Sequence, residues 1–233
     1  MKKNAMMKIA AILMVAVLLT TCAISSTFAK YTTTGVTGTD SARVAKWGVT
    51  VNATLLSNLF AARYDNDTTD KSAISLNAQD IVAPGTTKYV ALTNAVSGQP
   101  EVAVEITTAA EVALDNWALD DSKFYCPLVF KIGATEATAT TIDGKTFTGD
   151  DAEARLEAAI KEEIEKSTAQ YEAGTDLEAA TGADLYISWD WAFTGVDDAK
   201  DTDLADSGAT ISISVTQTVS QLDKFAVTPP SEG

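Results

Sequence analysis

Histidine is absent from this chain. Zincin-type metalloproteases and hydrolases built on Ser-His-Asp or Cys-His all need imidazole as ligand or base, so these classes are excluded together. Neither Ser-x-x-Lys, Gly-x-Ser-x-Gly nor a glycine-rich phosphate loop occurs. Cysteine is nearly absent too, with only Cys22 and Cys126. Basic residues are few, 17 Lys and Arg against 32 Asp and Glu, and such a surface repels nucleic acid and anionic membrane. The longest apolar run, Ile9 to Leu19, is far short of the ~20 residues that span a bilayer.

That short run has a different meaning. Lys2, Lys3 and Lys8 precede it and Thr27-Phe28-Ala29 follows it, which is the charged, apolar and small-residue order of a secretory signal peptide. Cleavage is expected between Ala29 and Lys30, giving a secreted chain with no membrane segment. Two rivals stand beside this reading. One is a retained anchor, and the other is lipid attachment at Cys22, where Leu19-Thr20-Thr21-Cys22 has the spacing of a lipid box with threonine in place of the usual small residue. Cleavage at Ala29 removes three lysines and no acid, and leaves Cys126 as the lone cysteine, so no intramolecular disulfide is expected. Cys126 lies in the apolar run Phe124 to Ile132 and reads as a small buried hydrophobe.

Residues 30–41 are threonine-rich and poor in core formers, and read as a mobile arm. Beyond them the period is two. Ala45, Trp47, Val49 and Val51 alternate with polar residues and predict a half-buried strand. Ile74 and Leu76 begin another, Pro84-Gly85 is a turn, and Val90 with Leu92, then Val102, Val104 and Ile106, share strand faces. Phe124 to Ile132 predicts a strand with Pro127 at a bulge or edge. Asp143-Gly144 predicts a two-residue hairpin.

Leu156, Ile160 and Ile164 recur at helical spacing. They predict an amphipathic helix near 150–167, with Asp150 and Glu153 as a capping box and Glu157-Lys161 and Glu162-Lys166 as surface pairs. Leu185, Ile187, Trp189, Trp191 and Phe193 share one face of the next strand, and Ile211, Ile213 and Val215 share one face of the last. Short strands at regular, turn-bounded intervals predict a mainly all-β fold. It is a jelly-roll-like antiparallel β-sandwich over residues 42–227 with one inserted helix, followed by a loose tail, 228–233.

Two sites invite chemistry. Trp189-Asp190-Trp191 could be a sugar-stacking platform, although both indoles share the core parity and are more economically read as core. Asp65, Asn66, Asp67 and Asp70, and Asp197, Asp198, Asp201, Asp203 and Asp206, form acidic loops with the hard oxygens that calcium takes. Neither has EF-hand spacing, so a solvated acidic loop is the alternative. Carboxylate-only hydrolysis stays open in principle, but no carboxylate pair stands out.

The run Ser26-Thr27-Phe28-Ala29-Lys30-Tyr31-Thr32, with Ser41-Ala42-Arg43-Val44-Ala45-Lys46-Trp47, resembles the start of the TasA/camelysin-like family of secreted Gram-positive proteins with SipW-type signal peptides. Val82-Ala83-Pro84-Gly85-Thr86, Trp189-Asp190-Trp191-Ala192-Phe193 and Asp201-Thr202-Asp203-Leu204 are similar to that family's Pro-Gly turn, aromatic strand and Asp-Thr loop. The resemblance implies an exported β-sandwich that polymerises into biofilm-matrix fibres, with an N-terminal segment of one subunit completing the sheet of the next. The metalloprotease activity described for camelysin does not carry over, because no histidine is present to transfer. Residues 30–41 would be the donated segment, by backbone hydrogen bonding to an open strand edge, with Tyr31 and Val36 as its anchors. The expected role is that of a non-enzymatic protein of the cell surface or extracellular matrix. Its expected partners are copies of itself, other matrix components or a polysaccharide.

Overall fold

The computed structural model describes residues 43–51, 58–65, 71–93, 95–119, 122–193 and 197–223. The chain divides into two units, Met1–Val44 and Ala45–Gly233. The signal segment with Ala29 and Lys30, the arm with Tyr31 and Val36, the side chains of the first acidic loop and the tail 228–233 lie outside the described residues.

The fold is an antiparallel β-sandwich. Its eleven described strands are β1 (Val49–Val51), β2 (Arg63–Asp65), β3 (Lys71–Ile74), β4 (Thr86–Leu92), β5 (Val96–Gly98), β6 (Val104–Asp115), β7 (Val129–Gly133), β8 (Thr140–Asp143), β9 (Ala169–Tyr171), β10 (Leu185–Trp191) and β11 (Thr210–Gln221). Helix α1 is Ala152–Glu165 and α2 is Asp198–Ser207. One sheet has the order β4-β10-β7-β8 and the other β11-β6-β9, with the small pairs β1-β5 and β2-β3 beside them.

β10 is the centre of the first sheet, and its pattern explains why. Leu185, Ile187, Trp189 and Trp191 are buried, while Asp190 on the other parity is exposed. They meet Ala110 and Leu114 of β6, and Leu156, Ile160 and Ile164 of α1, in one core. Every fourth residue of α1 is thus buried, as its spacing predicts. The turn before β4 also follows its sequence. Gly85 has φ 77°, and Thr86 N–H donates to Ala83 O at 3.1 Å, a Pro-Gly turn that needs glycine in the left-handed region.

Several expectations are corrected. The first strand is only Val49–Val51, and Trp47 is 42 % exposed: alternation there continues past the sheet, so no second layer covers it. Leu76 lies beyond β3 and is 94 % exposed. β7 begins only at Val129, because Pro127 has no N–H to give a ladder. Phe193 follows the end of β10 and is exposed.

Asp143-Gly144 is not a hairpin. β8 pairs with β7 and leads into a 3-10 turn at Gly144–Thr146, with Asp143 Oδ1 accepting from Lys145 N–H at 3.0 Å. Gly144 is required there by close approach, since a Cβ would come within 2.6 Å of Cys126 O. α1 starts at Ala152 after Asp151, whose carboxylate takes Arg155 Nε at 3.1 Å and makes no cap. The expected capping by Asp150 is absent.

Candidate assembly edge and end cleft

A β-sheet ends in strands whose outer N–H and C=O groups are unpaired, and natural proteins guard such edges with charge, proline, bulges or a cover. The three-stranded sheet shows both outcomes. β6 pairs with β9 only from Val104 to Ile106, so its upper edge needs another partner. Helix α1 and the turn after it supply one. Glu157 Oε1 accepts from Leu114 N–H at 2.8 Å, Glu165 Oε1 from Ala110 N–H at 3.2 Å, and Thr168 Oγ1 from Thr108 N–H at 3.3 Å. Glu157 is therefore spent on a strand amide, while Lys161 pairs with Glu165 at 3.6 Å and Lys166 with Glu162 at 3.9 Å. The surface pair Glu157-Lys161 is replaced because a buried amide gains more from a carboxylate than an exposed lysine does.

Among the described residues β11 has no such guard. It pairs with β6 through an unbroken register from Thr210↔Asp115 to Gln221↔Val104. Among the described residues no strand pairs its other side. Its 12 residues, Thr-Ile-Ser-Ile-Ser-Val-Thr-Gln-Thr-Val-Ser-Gln, include no charge, no proline and no glycine. Ile211, Ile213 and Val215 pack, partly buried, on the core. The other strands at sheet margins are shorter: β4 has 7 residues, β8 has 4 and β9 has 3.

The second feature lies where β10 ends and β11 begins. A cleft of about 540 Å³ is walled by Val82, Pro84, Trp117, Trp191, Leu204 and Ala205, with Asp198, Asp201 and Thr202 as its polar groups. Trp117 Nε1 donates to Thr210 O at 2.6 Å, and the two indoles lie 6.5 Å apart. Asp201 is fixed by Tyr125 Oη at 2.9 Å and by Trp191 Nε1 at 3.4 Å. Burial, then Asp201 as hydrogen-bond acceptor, pushes the Tyr125 hydroxyl well above its ordinary value.

The second acidic segment is a helix, not a loop. Asp198 and Asp201 occupy the first turn of α2, where carboxylates complement the helix dipole, and Gly208, φ 72°, ends it in the left-handed region. Asp197 Oδ2 takes Lys145 Nζ at 2.8 Å and its Oδ1 takes Lys200 Nζ at 3.1 Å. Those two hydrogen bonds hold its carboxyl below the usual range. Of the five predicted calcium ligands Asp198 and Asp201 share the cleft, and among the described residues no group of three or more such side chains gathers. Asp203 and Asp206 take no part in the cleft lining.

Trp189 and Trp191 are core, as their parity predicts. Trp189 is 0 % exposed, donates Nε1–H to Leu59 O at 2.8 Å and meets Tyr64 edge-on at 5.7 Å. Cys126 is fully buried, and burial pushes its thiol up to about 12. A chain starting at Lys30 is therefore expected to leave Cys126 unlabelled by a maleimide at pH 8, with one thiol appearing on unfolding. A thiol that titrates without denaturant would contradict this.

No protein-family model matches the chain, and no curated protein matches it. The edge of β11 went unread in the sequence because its partner in β6 is about a hundred residues away. The available signal was its freedom from charge over 12 residues.

Proposed function

We propose that this chain is a secreted, non-enzymatic fibre subunit of the cell surface or extracellular matrix, as its resemblance to the TasA/camelysin-like family implies. Subunits join when residues 30–41 of one copy add as a strand to β11 of the next. The observation that carries this reading is the 12-residue edge of β11, which has no guarding charge, proline or bulge. The donated segment is itself twelve residues long, rich in threonine and free of proline, so it suits backbone pairing with few side-chain demands. β-addition between different surfaces of two copies is heterologous and generates an open filament. A carbohydrate-binding module is the second reading, and of the two indoles of β10 only Trp191 reaches the end cleft while Trp189 is fully buried.

Secreted protein is expected to begin at Lys30 by intact mass and to form filaments in electron micrographs. A lipid-modified start at Cys22, or a chain that stays monomeric at every concentration tried, would overturn the reading.

A further inference from the structure

The two ends of the sandwich differ. Thr86 pairs with Trp191 and Asp115 with Thr210 at the end that holds the cleft. At the other end β1 pairs with β5, and Leu222 N–H donates to Ala103 O at 2.9 Å, one residue before β6 starts. The segment that follows β11 thus leaves the fold at the end opposite the cleft. It begins Lys224-Phe225-Ala226-Val227-Thr228-Pro229-Pro230, which has one cation, no acid and a mostly apolar remainder in a strongly acidic protein.

The cleft is its chemical complement, with indole and aliphatic walls and the carboxylates Asp198 and Asp201. Aromatic-lined grooves take extended Pro-containing segments because these have little conformational entropy left to lose. The volume suits a few side chains, and pockets of a few hundred Å³ with sparse polar groups are the usual form of a binding site. We propose that residues 224–230 of one copy dock in the end cleft of a second copy, with Phe225 as the apolar anchor and Lys224 facing the carboxylates.

Reach decides between the two possible sources of the segment. β11 spans roughly 40 Å at ~3.4 Å per residue, whereas seven residues extend at most about 25 Å. Residues 224–230 cannot return to the cleft of their own subunit, but they lie at the correct end to enter that of the next. The contact is head to tail, between two different surfaces of neighbouring copies. It rests on the reading that the chain assembles with copies of itself.

A labelled peptide of residues 222–230 tests the docking on the secreted chain carrying Phe225→Asp, whose own tail lacks its anchor. Saturable binding is expected. It should be lost when Ala205, on the exposed face of α2, is also changed to Trp to fill the cleft, and lost when the peptide itself carries Phe225→Asp. In the intact chain, Phe225→Asp should raise the critical concentration for filaments at least tenfold. If filaments form but the peptide does not bind and Phe225→Asp leaves their critical concentration unchanged, the docking is wrong and the fibre reading stands. If the peptide binds and no filament ever forms, the fibre reading fails and the docking stands. Binding of a peptide of residues 30–41 in its place, sensitive to Ala205→Trp, would overturn the assignment of the cleft.

Discussion

Replacing Trp189 with Ala should destabilise the fold by about 3–5 kcal/mol, the scale for deleting a large buried aromatic. The side chain is fully buried at the centre of β10 between β4 and β7. Its indole touches Phe60 and Tyr64 at 5.8 and 5.7 Å. Truncation leaves a cavity and also strips Leu59 O of its donor, and an orphaned buried acceptor costs about 1–3 kcal/mol by itself. Against a typical total of about 5–15 kcal/mol, this loss approaches the stability of the domain. Denaturant unfolding with an unchanged m-value would measure it. Phe193→Ala is the control: Phe193 is 79 % exposed, so its loss should stay within about 0.5 kcal/mol. A loss below 1 kcal/mol for Trp189→Ala would contradict the core assignment.

Deleting Lys30 to Ser41 should abolish filaments while leaving the sandwich folded. Ordering that segment costs about 1–2 kcal/mol of backbone entropy per residue, which only a ladder of new hydrogen bonds and some burial on a neighbour can offset. The core residues described, in both clusters, all follow Val44, so the truncated chain is expected to keep its fold. Far-ultraviolet circular dichroism and the unfolding midpoint should match those of the longer chain, and sedimentation should show nothing of filament size. Filaments of undiminished length from the truncated chain would place the donated strand elsewhere.

Where a residue's neighbours are close in sequence or its environment follows from period alone, the sequence was informative. β10 and α1 show this: alternation with β-branched and aromatic residues placed Leu185 to Trp191 inward, and four-residue spacing placed Leu156, Ile160 and Ile164 on one stripe. Period does not say what covers a face. Trp47 and Leu76 continue an apolar pattern beyond the sheets, so they stand exposed. Nor does composition exclude a helix held by a single anchor. α2 carries four aspartates, at 198, 201, 203 and 206, a composition that predicts a loop; Leu204 is its one buried residue, and the dipole favours the acids of its first turn.

Of the two parts of the proposed assembly, the arm is legible in the sequence and the open edge is not. Residues 30–41 stand out by local composition. An edge is a property of the whole sheet: β11 is marginal because β6 is its one strand partner among the described residues. The cleft is long-range in the same way, bringing together Val82, Trp117, Trp191 and Leu204. The resemblance to secreted fibre proteins implies assembly and does not say which strand would receive the arm.

Amide hydrogen exchange of β11, compared between monomer and filament, tests the central claim most directly. Amides from Thr210 to Gln221 that face away from β6 have no strand partner among the described residues, so in the monomer they should exchange quickly. Those facing β6 should already be protected by its ladder. On assembly the outward set should slow by orders of magnitude, while the amides of β7, inside the other sheet, stay as they were. Outward β11 amides that exchange equally fast in monomer and filament would show that the edge receives no strand.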